Sequence, residues 1–562
     1  MKSITASTLV LFLTLPLAGA QQKTKSSAVL MDTVEKELKR AMDNLSKRDP
    51  APYFISYSVT DDYEWFLSAM QGAMLNNVTQ HVRSVDISVR IASPELDNTH
   101  NEGHASGVHS VYLPLEDDPE AIARVLWEAT DQEYKAASRA YMQMKTNTAV
   151  RAKEEDTSAD FTKEDPQIHM ANPPAVVEPD LAAWEKKVKQ YSMVLGKFPN
   201  IYNAGVLFSA GNETRFFVST EGSRLVFSRP LVQLVASADT RADDGMDLIR
   251  AEVFAAADTA HLPGDAQVLP RLEKLGADVE KLRTAPVVEP YSGPALLSGR
   301  AAAVFFHEVL GHRVEGQRQR GAEEGQTFTK KLNQLVLPEF LSVTDDPTLR
   351  ELGGVQLNGT YEFDEEGTAA RRVPVIENGV LKQFLLSRHP VAGFDHSNGH
   401  GRAQNGMMPV GRQGNLIVSS TKPLPEAELR KMLIEEVKKQ SKPYGLYFED
   451  IAGGFTLTTR NLPQSFQVLP LMVWRVYADG RPDELVRGVD IVGTPLTAMT
   501  RILASGDKTE VFNGICGAES GSVPVAAASP ALLFSEIEVQ KRRLSQARPP
   551  ILPAPDAKGD PQ

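Results

Sequence analysis

The sequence predicts an α+β protein, with a mixed N-terminal domain built on an antiparallel sheet and a β-rich C-terminal domain carrying an HExxxH helix. Three observations lead there. Helical spacings and strand-like runs share the first half, turn-separated strand patterns dominate after residue 370, and a proline-bearing stretch from Pro286 to Pro294 lies between them. With 562 residues there is ample chain for two or more cores, and no short-period repeat interrupts it.

The elements follow in chain order. Met1-Lys2, the apolar run Leu9–Leu17 and the small residues Ala18-Gly19-Ala20 have the layout of a secretory signal spanning residues 1–20. The run is far shorter than the ~20 residues of a spanning helix, and no cysteine follows for lipid attachment. The expectation is an exported chain, periplasmic or secreted, without a membrane anchor. Val34, Leu38, Met42 and Leu45 then recur at helical spacing up to Asp49-Pro50. Tyr53–Val59 and Glu64–Leu75 read as strands, and Val85, Ile87, Val89 and Ile91 alternate with polar residues as a half-buried strand does.

Pro119–Met144 is a long amphipathic helix, 151–180 a charged, proline-bearing loop, and Leu181–Leu195 another helix. Strands are expected at Ile201–Ser209, Thr214–Thr220 and Arg224–Ser237, with turns at Gly211-Asn212 and Glu221-Gly222. A helix over Val268–Arg283 closes a domain of residues 21–288. The second domain, 289–547, opens with a helix from Ser298. Its strands are Arg372–Ile376, Val380–Leu386, Phe455–Arg460, Ser465–Ala478 and Glu484–Val492. The tail 548–562 is proline-rich and too polar to fold alone.

Charge narrows the function. A net charge of -12, spread without basic runs, argues against nucleic acid or anionic membrane as a general partner, since both demand a basic surface. No phosphate-cradling glycine loop and no G-x-S-x-G elbow is present.

The chemistry concentrates in Phe305–Gly316, FFHEVLGHRVEG, where His307, Glu308 and His312 lie within six residues. In the common H-E-x-x-H helix the histidines are four apart and share a face. Five apart, they project about 140° from one another on a regular helix. Both reach one ion only if the helix distorts or ends between them, and Gly311 sits where the backbone would give way. A catalytic zinc usually takes three protein ligands and leaves the fourth position open. The single cysteine, Cys516, is a candidate third ligand, because a free thiol in an oxidising compartment is a liability unless buried or metallated. The alternative reading of Cys516 is a small buried apolar residue.

Glu315 is either a hydrogen-bond partner of His312 or a solvated charge at the helix end. His396 and His400 could form a second metal pair, an ordinary loop, or, for His400 and Arg402, contacts to substrate. Gly453-Gly454 could admit a substrate as an added strand, or mark a bulge or turn.

HEVLGHRVEG at 307–316, FDEEGTAARRVPVIENGVLKQFLLSR at 363–388, GHGR at 399–402 and GICGAESGSVPV at 514–525 together resemble the TldD/PmbA family of metallopeptidases. The likeness covers about residues 30–545. It implies that His307, His312 and Cys516 are zinc ligands and Glu308 the catalytic carboxylate, as in the metal-binding type. It also implies a dimer, with an identical or a related chain, whose enclosed site takes unfolded or short peptides. The secretory signal departs from the best-known members, which are cytoplasmic. The expected activity is a zinc-dependent peptidase, with Glu308 as general base toward metal-activated water. The alternative is a non-catalytic zinc-containing binding subunit of a similar complex.

Overall fold

The computed structural model describes residues 18–100, 108–148, 156–171, 176–321 and 324–542. The body of the expected signal and the expected tail lie outside the described residues. Among the described residues no helix is long and apolar enough to cross a membrane.

Two sheets carry the fold. The first is eight-stranded and antiparallel in its long members. These are β1 (Pro52–Met70), β2 (Ala73–Ser93), β3 (Asn203–Ser219), β4 (Arg224–Arg241) and β5 (Asp247–Ala256), paired in the order β2-β1-β3-β4-β5. Helices α1 (Ala18–Leu45) and α2 (Pro119–Thr148) cover it at β1 and β2, where Leu30, Val34, Ile122 and Leu126 pack on Val85, Ile87 and Val89. Helices α3 (Leu181–Leu195) and α4 (Asp265–Thr284) cover β3 to β5 through Trp184, Val188, Leu272 and Leu275.

Two boundaries differ from expectation. Glu64–Leu75 is not one strand, because the chain turns at Gln71-Gly72, both with positive φ, between β1 and β2. Gly211-Asn212 is not a turn. Gly211 pairs with Glu64 on one side and Leu231 on the other, so a two-sided ladder outweighs the local turn preference.

The second sheet is twelve-stranded and sets up the site. Its main elements are β6 (Tyr291–Leu297), α5 (Gly299–Val309), β7 (Leu341–Asp345), β8 (Val373–Glu377), β9 (Asn415–Ser420) and α6 (Glu426–Lys439). They continue with β10 (Gly445–Thr456), β11 (Phe466–Val476), β12 (Val489–Gly493), β13 (Ile502–Ala518) and β14 (Gly521–Lys541). The pairings β6–β10, β10–β11, β11–β12, β12–β14 and β14–β6 close a ring of strands. The hairpin β13–β14 and the parallel strand β9 continue from β14.

Expected and observed strands part company in places. Val380–Leu386 is a strand only over Val380–Leu381, and the Phe455–Arg460 segment is the tail of β10, which ends at Thr456. The long β13–β14 hairpin escaped the sequence reading because its small residues, Ala526, Ala527 and Ala528 among them, show no alternation.

Against this sheet lies α5, every residue buried except Arg300. A helix apolar nearly all round belongs in a protein interior. Phe305 meets Phe306, Phe466 and Phe534 edge-on, and the Ser298 hydroxyl caps the first turn by accepting from the Ala301 amide. The two sheets are tied by ion pairs, among them Arg250–Asp450, Arg229–Glu365 and Arg388–Glu221.

Candidate metal centre

The α-helix ends at Val309, and Gly311–Val314 continues as a tighter 3-10 turn that carries His312. His307 therefore stays on the last turn of α5 while His312 swings toward it, their ring centroids 4.9 Å apart at 80°. The helix ends between the histidines rather than bending. Gly311 keeps ordinary backbone angles, and its role is a close approach: a Cβ there would lie 1.9 Å from the Gln413 Oε1. Gln413 and Arg313 also cap the helix end, donating to the carbonyls of His307 and Glu308.

Cys516 arrives from the far end of β13. One ligand atom each from His307, His312 and Cys516 lie within 4.8 Å of one another, and all three residues are buried. A tetrahedral zinc of ordinary bond lengths holds a sulfur and a nitrogen ligand about 3.5 Å apart. The Cys516 Sγ lies 3.4 Å from the His312 Nε2. The donor set fits zinc in kind as well, since a thiolate and two imidazoles are its preferred partners. Among the described residues no other group of three such side chains converges.

Electrostatics support the same arrangement. Burial pushes the Cys516 thiol up, but the two imidazoles outweigh it and hold the thiol well below its usual range. Burial lowers both imidazoles, yet the Cys516 thiolate overcomes this, with Glu315 helping at His312, and both end up raised. Glu308 is 5 % exposed, and burial raises its carboxyl despite the imidazoles and Arg313 nearby. Gly454 makes room for it, because a Cβ there would meet the Glu308 Cγ at 2.7 Å. The Gly453-Gly454 pair lies inside β10, beside a run of register shifts against β11.

Glu315 is fully buried, with its Oε1 3.1 Å from the His312 Nδ1. A carboxylate only accepts, so Nδ1 carries the proton and Nε2 is left free to face the sulfur. Arg318 and Arg412 neutralise the same carboxylate, and Arg412 also donates to the Cys516 carbonyl at 2.7 Å. Replacing Glu315 by Gln is expected to weaken zinc binding by roughly 10–100-fold while leaving the fold intact. Competition against a zinc chelator measures it, and unchanged affinity would mean that the carboxylate does not orient His312.

The remaining candidates fall elsewhere. His396 is exposed and faces Glu164, whereas His400 is fully buried, its Nε2 3.2 Å from Asp345 and its Nδ1 on Asn398. Arg402 is buried, donating to the carbonyls of Gln413 and Pro524. Sequence reasoning missed Arg313, Gln413 and Arg412, and it singled out Gly453-Gly454 without placing the pair at Glu308. Arg313 stood beside His312 in the motif, but nothing local marked Arg412 and Gln413, which come from a distant loop.

Two cavities are prominent, of about 300 Å³ and 620 Å³, and the metal cluster lines neither. The larger reaches Ile515, Val523 and Pro524, on the same hairpin as Cys516.

Comparison with known proteins gives a consistent picture. The family model described as the PmbA/TldA metallopeptidase C-terminal domain matches residues 290–541. A metalloprotease of Archaeoglobus fulgidus is 29% identical over 239 residues, 42% of this chain and 51% of its own length. A zinc metalloprotease TldD homolog of Saccharolobus solfataricus is 26% identical over 248 residues, 44% of this chain and 51% of its own. The chain thus spans about half the length of these curated relatives. The crystal structure of TldE from Thermococcus kodakarensis superimposes with a TM-score of 0.60 at 14% identity, over 92% of this chain and 100% of that one, a likeness of fold.

Proposed function

Because the chain belongs to the TldD/PmbA family, we propose that it is a zinc-dependent peptidase acting on unfolded or short peptides. The observation that carries this reading is the convergence of His307, His312 and Cys516, from a helix end, a 3-10 turn and a distant strand, next to the buried carboxyl of Glu308. His307, His312 and Cys516 would hold the ion. A structural zinc normally closes with four protein ligands, and three protein ligands leave one position for chemistry. That favours an enzyme over a non-catalytic binding subunit.

When bound, the zinc polarises a peptide carbonyl and acidifies a water molecule. Glu308 takes the proton of the attacking water and delivers it to the leaving amine, a role suited to a carboxyl raised by burial. Cys516, as a thiolate, lowers the net positive charge of the donor set compared with a third neutral imidazole. Glu315 holds the His312 ring in one tautomer. The exported compartment and the dimer with an identical or related chain belong to the same proposal. They rest on the character of residues 1–20 and on the family likeness.

Metal content and cleavage of an unfolded peptide, measured before and after chelation, test the reading. The expected result is one zinc per chain, with cleavage lost on stripping and regained on adding zinc. Cleavage that survives complete metal removal would end it.

A further inference from the structure

Arg402 is 2 % exposed, and among the described residues no carboxylate forms an ion pair with it. Its Nη1 donates to two backbone carbonyls, of Gln413 and Pro524, while its Nε has no partner. Its guanidinium lies over the Tyr361 ring, 4.6 Å from the centroid, and the carboxylate that reaches it from longer range is that of Glu365, which is already held by Arg229 and lies 3.4 Å from Arg215. A guanidinium buried without its own counter-charge is a costly arrangement, and such groups are normally paired.

Arg402 lines the 620 Å³ cavity, between β3 and β4 of the first sheet and the β13–β14 hairpin of the second. The same lining holds the Arg229 Nε, the Arg215 Nε and the Asn358 Nδ2, all buried donors without partners, against one unpartnered acceptor, the Glu365 Oε2. Of the other lining acids, Glu64 is exposed to solvent. Glu213 pairs with Arg215 and Glu362 with Arg350, while burial pushes the Asp62 carboxyl up to about 7. The excess of donors calls for a ligand rich in acceptors and negatively charged. The cavity is of a size that suits a few residues of an extended chain.

Its position ties it to the metal centre. Pro524, whose carbonyl accepts from Arg402, pairs across the hairpin with Ile515, the residue before Cys516. Gln413, the other acceptor, donates to the His307 carbonyl. Arg402 is thus braced against the backbone on both sides of the metal cluster.

We propose that this cavity binds a carboxylate of the substrate peptide, with the Arg402 guanidinium as its principal partner. The proposal rests on the peptidase reading. Two sources share the chemistry, the peptide's C-terminal carboxylate and an acidic side chain.

The test is binding to full-length Glu308→Gln protein loaded with zinc, in which a peptide stays intact. The probe is an N-terminally labelled, unstructured short peptide in three forms: C-terminal acid, C-terminal amide, and amide with one glutamate. Anisotropy is expected to show the acid binding at least about 10-fold more tightly than the plain amide, the scale of a charge-assisted hydrogen bond. If the glutamate-bearing amide binds as well as the acid, a side chain can supply the group; if it binds as weakly as the plain amide, the C-terminus is the source. Arg402→Gln should abolish the difference, and Arg402→Lys should restore part of it. If Arg402→Gln fails to fold, the comparison of the three peptides on the parent protein decides by itself. Equal binding of all three, or none, overturns the carboxylate site whatever the wild type cleaves. Selective binding of the acid by a protein whose wild type cleaves nothing would instead overturn the peptidase reading and keep the site.

Discussion

Glu308→Gln is expected to lower peptide cleavage by about 10²–10⁴-fold while zinc stoichiometry stays at the wild-type value. The amide fills nearly the same volume beside Gly454 but cannot take a proton from water. Stability should move the other way. Burial raises the Glu308 carboxyl in the folded protein, so the folded state binds this proton more tightly than the unfolded chain does. Wild-type stability therefore falls as pH rises above the ordinary carboxylate range, near 4.3, until it passes the raised folded value. Without its charge, metal-free Glu308→Gln should melt at or above the wild-type temperature at pH 8, and the advantage should vanish toward pH 4. A variant that cleaves normally would remove Glu308 from the chemistry. One that loses zinc would show that the carboxylate holds the ion rather than the proton.

Cys516→Ser should have the second large effect. Serine keeps the shape at the end of β13 but offers no thiolate at neutral pH, so two imidazoles remain of the three donors. Zinc affinity is expected to fall by more than the roughly 10–100-fold typical of losing a supporting partner, and cleavage with it. The fold should persist, since the hydrophobic cluster that Cys516 joins, with Val523 and Val525, is small and separate from the main core. Metal analysis after gel filtration, with circular dichroism of the same sample, reads both quantities. Full zinc occupancy in the variant would take the sulfur out of the coordination sphere.

Much of the site was legible because its chemistry is local in sequence. His307, Glu308 and His312 sit within six residues, and their five-residue spacing already required the helix to end or distort between them. A lone cysteine needs no pairing rule to be noticed. What remained hidden was the support from afar. Gln413 fits against Gly311, Arg412 holds both Glu315 and the Cys516 carbonyl, and Gly454 gives Glu308 its space. Each of these contacts depends on long-range pairing, and although the Gly453-Gly454 pair stood out in the sequence, nothing local tied it to Glu308. The fold behaved likewise. Helices with strong periodicity, such as Leu181–Leu195, match residue for residue, while Gly211-Asn212 misled because its two neighbouring strands are more than a hundred residues away or far along the hairpin.

The closed ring of strands beside α5 separates the stability of the fold from the proposed ion. Small zinc modules collapse when stripped, because coordination replaces a core they lack. Here aromatic and aliphatic packing holds the ligand-bearing helix, so the fold does not depend on coordination for its core. On the proposed zinc reading, a chelated molecule would lose its cleavage and keep its fold.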